Sequence, residues 1–151
     1  MSHVRFLLSL LSALVLMAGN TAALARDMVS VHRNEVNMRS GAGTQHEALW
    51  VLSRGYPLQV LAKKGKWLKV RDFENDRGWV YQPLTSTRAP HHVVKVKVVN
   101  IRSKPTVKSR VLAKAAHGEI LKTLGHQGDW VKVQQVGGPI GWVTQRLVWG
   151  W

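Results

Sequence analysis

The sequence predicts an all-β protein built from two small, strongly bent barrels in tandem, and three observations carry that prediction. Shifted by 63 residues the chain lies on itself without a gap, with 17 identities in the 49 positions that run from Val36 and Val99 to Leu84 and Leu147. Neither copy holds a long run at helical spacing, whereas both hold short stretches in which apolar and polar residues alternate with period two. Turn residues punctuate those stretches at matching places. Each copy spans about 50 to 60 residues, near the lower size limit at which one core folds unaided.

Residues 1–25 read as a secretory signal peptide. Arg5 precedes a mostly apolar run from Phe6 to Ala18, and Ala23-Leu24-Ala25 supplies a small-x-small cleavage site. A spanning helix needs roughly 20 apolar residues, and Asn20 and Thr21 interrupt this run too early. With no cysteine in the chain, neither a lipid-modified cysteine nor a disulfide framework is available. The expectation is an exported protein of the periplasm or cell envelope, its mature part starting near Arg26 and carrying no transmembrane span.

The elements follow in order. Val29 to Val36 opens the first unit, and Val94, Val96 and Val98, alternating with Lys95 and Lys97, open the second. Alternation of this kind turns one face inward and one outward. Arg39-Ser40-Gly41-Ala42-Gly43-Thr44 and Ser103-Lys104-Pro105-Thr106 then form long connecting loops. Second strands are expected at Leu49 to Leu52 and around Val111-Leu112. Gly55 and Gly118 mark turns before Leu58 to Leu61 and Leu121 to Leu124. Trp67 to Arg71 and Trp130 to Gln134 alternate cleanly, and hairpin turns at 72–77 and 135–140 return the chain to Gly78-Trp79-Val80 and Gly141-Trp142-Val143. Val148 to Trp151 closes the second unit. The expected boundaries are 26–85 for the first barrel, 86–92 for a short polar linker containing Pro90, and 93–151 for the second barrel. So short a linker predicts barrels that are packed or restrained.

The combination Asn-x-Arg-Ser, then Gly-x-Trp-x-Lys-Val, then Gly-Trp-Val resembles the bacterial SH3-like (Src-homology 3 type) domain family. It occurs at Asn37, Gly65 and Gly78 and again at Asn100, Gly128 and Gly141. The resemblance covers Val29 to Leu84 and Val94 to Trp151. It implies two SH3-like five-stranded β-barrels serving as targeting or binding modules, often toward peptidoglycan or its peptide stems. Fold is fixed by such a resemblance better than ligand. The first loop of the second unit departs from that of the first, so the two loops need not bind the same partner.

Charge narrows the partners. Outside the leader, 21 basic side chains face 8 acidic ones, a net of +13, of which residues 85–151 carry +9. Wall polymers, lipid head groups and lipopolysaccharide are the anions that an exported surface of this kind meets. The leader argues against nucleic acid. Positive charge also serves solubility alone.

Within Trp67 to Arg71 the pleat sends Leu68 and Val70 to one side and Trp67, Lys69 and Arg71 to the other. Trp130 and Lys132 repeat the arrangement. An aromatic ring beside a cation suits a sugar ring or a carboxylate-bearing peptide; alternatively each ring covers a barrel end. Trp79 and Trp142 fall opposite the inward Val80 and Val143, with Tyr81 beside Trp79. In barrels of the resembled type, adjacent aromatics line a shallow groove between the two long loops. Arg39 and Arg102 stand at the mouths of the first loops, placed either to fork onto a carboxylate or phosphate or to pair locally. Asn37 and Asn100 are expected to hydrogen-bond their own turns. The candidate ligand-binding residues are thus Arg39, Trp67, Lys69, Trp79, Tyr81, Arg102, Trp130, Lys132 and Trp142.

Catalysis finds no support: a cysteine peptidase lacks its nucleophile here, and no Gly-x-Ser-x-Gly elbow is present. No cofactor or metal is expected, because His91-His92 lies in the linker without a second pair at ligand spacing. His32, His46, His117 and His126 read as exposed polar residues. The reading is an exported, non-enzymatic module for peptidoglycan or another envelope component, or alternatively an assembly module for a peptide of an envelope partner.

Overall fold

The computed structural model describes residues 26–151, so the signal peptide expected at 1–25 lies outside the described residues. The first barrel contains β1 (Met28–Val31), β2 (Val36–Arg39), β3 (Ala48–Leu52), β4 (Pro57–Lys64), β5 (Trp67–Arg71) and β6 (Arg77–Tyr81). A 3-10 turn at Gln82–Leu84 then leads into β7 (Thr85–Ser86). The second repeats the plan with β8 (His91–Val94), β9 (Val98–Arg102), β10 (Val111–Ala116), β11 (Ile120–Gln127), β12 (Trp130–Gln135) and β13 (Ile140–Thr144). Its 3-10 turn, Gln145–Leu147, precedes β14 (Val148–Gly150). The two sheets have matching antiparallel orders, β3-β2-β6-β5-β4-β1-β7 and β10-β9-β13-β12-β11-β8-β14. Each sheet holds seven short strands, because the expected first strand is divided in two and a short strand follows each 3-10 turn.

Two expected strands are broken where the sequence pattern runs on. Val29 to Val36 is two strands, because β1 pairs with β4 and β7 while β2 pairs with β3 and β6. The chain turns a corner between them, and Glu35 takes a left-handed φ of 55° there. The Val94, Val96, Val98 alternation likewise crosses a corner, and Val98 is 49% exposed. The inward phase shifts at each corner, from Val29 and Val31 to Val36 and Met38 and from Val94 to Val99 and Ile101, so a run of alternating valines that continues past the corner does not reveal it.

Inward residues of each sheet meet in one core. Val29, Val36, Met38, Leu58, Leu68 and Val70 belong to the first, and Val94, Ile101, Leu121, Val131, Val133 and Val143 to the second. Leu68, Val70, Val80 and their repeats point inward as the pleat requires. The glycine of each Gly-Trp-Val triplet lets β6 and β13 cross closely over β2 and β9. A Cβ at Gly141 would lie 2.6 Å from Ile101 Cγ2 and 2.7 Å from the Arg102 carbonyl oxygen. Gly141→Ala is therefore expected to destabilise the protein by roughly 1–3 kcal/mol in urea unfolding. Gly125→Ala, where nothing lies within 4 Å, is expected to change stability by less than about 0.5 kcal/mol.

The barrels meet in a seam. Met28 of β1, Val93 of β8 and Trp149 of β14 form a third buried cluster, flanked by Phe73 and Trp151. The Trp151 indole Nε1 donates to Ser30 Oγ at 2.9 Å, and His117 Nε2 lies 3.3 Å from Glu74 Oε1. Ser86 still pairs with Ser30. His91 and His92, expected in the linker, instead open β8, leaving only residues 87–90 outside the strands. They are drawn into the sheet because β11 and β14 flank β8 on its two sides.

Candidate functional site

The outward faces of β2, β6 and β5 bring most of the expected first-barrel residues together. Register does this: Trp79 is opposite both Arg39 and Lys69, and Trp67 is opposite Tyr81. The Trp67 and Tyr81 rings have centroids 5.3 Å apart and planes tilted by 47°, the spacing of an interacting aromatic pair. They wall a cavity of about 200 Å3 that also touches Arg39, Asn37, Thr44 and Leu84, with Glu35 at its margin. Trp79 and Lys69 lie beside this groove on the same face and do not line it.

The arginines are tied to their own loops. Arg39 Nη1 donates to the carbonyl oxygens of His46 (2.9 Å) and Thr44 (3.4 Å), and Arg102 Nη1 donates to that of Ser109 at 2.9 Å. Backbone bonds close the same loops, Ser40 N–H to Glu47 and Ser103 N–H to Arg110, each at 2.9 Å. Each guanidinium thus holds a loop in place, and Arg39 additionally presents one side to the groove. Asn37 faces the groove; among the described residues neither it nor Asn100 bonds its turn through its side chain.

The second barrel repeats the scaffold without the paired rings. Trp130 is opposite Thr144, the counterpart of Tyr81. Val98 and Val107 stand where the first barrel has Glu35 and Thr44. Trp142 is opposite Lys132 and Arg102, and Lys132 Nζ sits 5.9 Å from the Trp142 ring centroid, within cation–π range. Arg102, Trp130, Lys132 and Trp142 therefore share an outward face but form no two-ring wall.

Glu35, Thr44 and Leu84 are lining residues that the sequence reading missed. Leu84 matches Leu147 in the repeat and was legible as a fixed position; Glu35 and Thr44 have no such signal. Among the described residues, no group of three His, Asp or Glu side chains is placed to hold a metal ion, and no helix is long and apolar enough to cross a membrane. The arrangement offers an apolar slot with amide, hydroxyl and charged groups at its edge, which is binding chemistry.

Comparison with known proteins finds a match in each repeat. Residues 32–87 and 97–148 each match a family model described as "Bacterial SH3 domain". A curated relative, the "Putative N-acetylmuramoyl-L-alanine amidase YrvJ" of Bacillus subtilis (strain 168), is 23% identical over 138 residues. The match takes in 85% of this chain and 26% of that protein, so the chain spans about a quarter of its relative's length. Solved structures of NlpC1 and NlpC2 from Trichomonas vaginalis are 13% identical to it, with TM-scores of 0.39 and 0.38. They cover 89% and 83% of this chain and 49% and 48% of their own. With a domain model matching each of the two repeats, the chain belongs to the bacterial SH3 domain family and carries that domain twice.

Proposed function

We propose that the protein is an exported, non-enzymatic binding module that recognises peptidoglycan, or another cell-envelope component, through the groove of its first barrel. The observation that carries this reading is the Trp67–Tyr81 pair, which makes an apolar slot on an otherwise strongly basic molecule. Two rings at an angle grip a sugar face or a small peptide side chain, and the polar groups at the rim fix its orientation. The likeness to a protein named for a wall amidase supports a wall component as the target; the amidase activity in that name is not carried over. The basic second barrel adds attraction to anionic wall polymers that weakens as salt rises.

Co-sedimentation with purified, insoluble peptidoglycan tests this. Trp67→Ala and Tyr81→Thr are each expected to weaken retention roughly tenfold, about 1.4 kcal/mol, at both 0.15 and 0.5 M salt, where the Debye length is about 8 Å and about 4 Å. Trp130→Ala, which removes a ring that has no aromatic partner, is expected to change it less than about threefold. Equal retention of all three variants, or complete loss of wild-type retention at the higher salt, contradicts recognition by the groove.

A further inference from the structure

A second cleft lies away from the groove, where β3 meets the 72–77 turn. It encloses about 270 Å3 and is walled by Trp50, Tyr56 and Phe73, with the carboxylates of Asp72, Glu74 and Asp76 around it. His117 and Gly118 of the second barrel complete the lining, and no lysine or arginine is part of it. That is unusual in a chain with 22 Lys and Arg against 8 Asp and Glu: three of the eight acids face one apolar pocket. The Tyr56 phenol registers the resulting negative field, its pKa raised by burial first and then by Asp72, Glu74 and Asp76.

The internal repeat supplies a control. Ala113, Glu119, Gln135, Val136, Gly137 and Pro139 occupy the corresponding places in the second unit. None of the three rings and none of the three carboxylates is repeated, although the strands are. Part of the set has other duties. Asp72 Oδ1 accepts the backbone N–H groups of Glu74 (3.0 Å) and Asp76 (2.9 Å), and its Oδ2 accepts the Tyr56 hydroxyl at 3.1 Å. Glu74 and Phe73 contact His117 across the seam. Trp50 and Asp76 have no such role: Trp50 is 53% exposed, and among the described residues the Asp76 carboxylate accepts no hydrogen bond.

The cleft also abuts an unpaired sheet edge. β3 ends the first sheet, and Leu49, Trp50 and Val51 are all exposed on it, Val51 by 65%. The matching edge of the second barrel carries Ala113 and Lys114 instead, and an edge lysine discourages strand pairing. We propose that the β3 edge takes an extended peptide segment of a partner, and that a lysine-type ammonium on this segment enters the Trp50–Tyr56–Phe73 cleft beside Asp76. Aromatic faces and a carboxylate together attract an ammonium, and the edge supplies main-chain hydrogen bonds that a free amine cannot use.

The test titrates the full mature chain, labelled with nitrogen-15, with the capped peptide Ac-Val-Lys-Val-NH2 while following the indole N–H signals, that of Trp50 being assigned with Trp50→Phe. Its norleucine analogue and n-butylammonium are run in parallel. The lysine peptide is expected to shift Trp50 and to bind at least tenfold more tightly than either comparator. Asp76→Asn and Trp50→Ala are each expected to weaken it at least fivefold, with the remaining signals unchanged as evidence of an intact fold. Equal binding of the norleucine peptide removes the cation from the proposal, and equal binding of n-butylammonium removes the edge. No binding at millimolar peptide, or shifts confined to Trp67, overturns the site altogether. Because Trp67 and Tyr81 lie outside this cleft, failure here leaves the groove reading standing, and failure of wall retention leaves this one.

Discussion

Taking the protein from pH 7 to pH 4 is expected to remove roughly 3 kcal/mol of folding stability through one side chain, His92. His92 is 2% exposed in β8, its Nδ1 2.6 Å from Thr123 Oγ1 and its ring 5.7 Å from that of His126 in an edge-on arrangement. Burial lowers its pKa to about 4, with the neighbouring His126 and His91 acting in the same direction and a hydrogen bond to the Trp151 backbone opposing them. An unfolded histidine titrates near 6.5. The unfolded chain therefore takes up the proton first, so the contribution of the neutral ring is complete above about pH 6.5 and is lost as pH falls toward 4. His91, also lowered by burial, adds loss of the same sign. Between pH 6.5 and 5 most carboxylates stay ionised, so a fall of roughly 2 kcal/mol in that window reports the histidines. Urea unfolding at pH 7, 6 and 5 measures it, and His92→Gln is expected to flatten the slope whatever its absolute stability. Parallel slopes for wild type and variant would contradict the assignment.

His92 also marks what the sequence could not disclose. Read along the chain, His91-His92 follows a proline in a polar stretch and resembles a linker. Its burial depends on Thr123 and Trp151, which reach it only once β11 and β14 flank β8. The inward set was legible because the pleat decides it locally: Leu68, Val70, Val131 and Val133 alternate with polar residues and are buried accordingly. The corners after β1 and β8 were not: in the second unit the Val94, Val96, Val98 alternation runs on past the corner while the buried set shifts to Val99 and Ile101. For the groove, the repeat motif led to Trp67, and Tyr81 followed as the outward neighbour of Trp79; the hairpin between β5 and β6 fixes the register that brings the two rings together. The same motif placed candidate residues in both barrels. Only the single exchange of Tyr81 for Thr144 separates a two-ring wall from a lone tryptophan, and its importance shows once the cross-strand partner is known. The arginines illustrate the converse: a side chain conserved between repeats at a loop mouth is satisfied by the carbonyls of that loop, and those carbonyls carry no sequence signature.

Trp149→Ala is expected to cost about 3–5 kcal/mol, the range for emptying a buried tryptophan site, and to change how the molecule unfolds. Trp149 is directly opposite Val93, is 9% exposed, and packs on Met28 of the other barrel. Domains of about 60 residues bury only about 60% of the surface their unfolded chains expose and are individually marginal, so an apolar seam shared between two of them contributes to both. With the seam intact, the barrels are expected to melt together, giving coincident transitions by tryptophan fluorescence and far-ultraviolet circular dichroism. Emptying it leaves residues 87–90, the contacts of Trp151 and His117 and the approach of β4 to β8 and β14 to hold the barrels together, so the transitions should separate and the calorimetric enthalpy exceed the van't Hoff value. A variant that still melts in one transition at the wild-type temperature would show that the barrels are independently stable and the seam incidental. The distinction reaches function as well, because the β3 cleft includes His117 and Gly118. A loosened seam should therefore impair the lysine peptide while sparing the Trp67–Tyr81 groove, which is built from the first barrel alone.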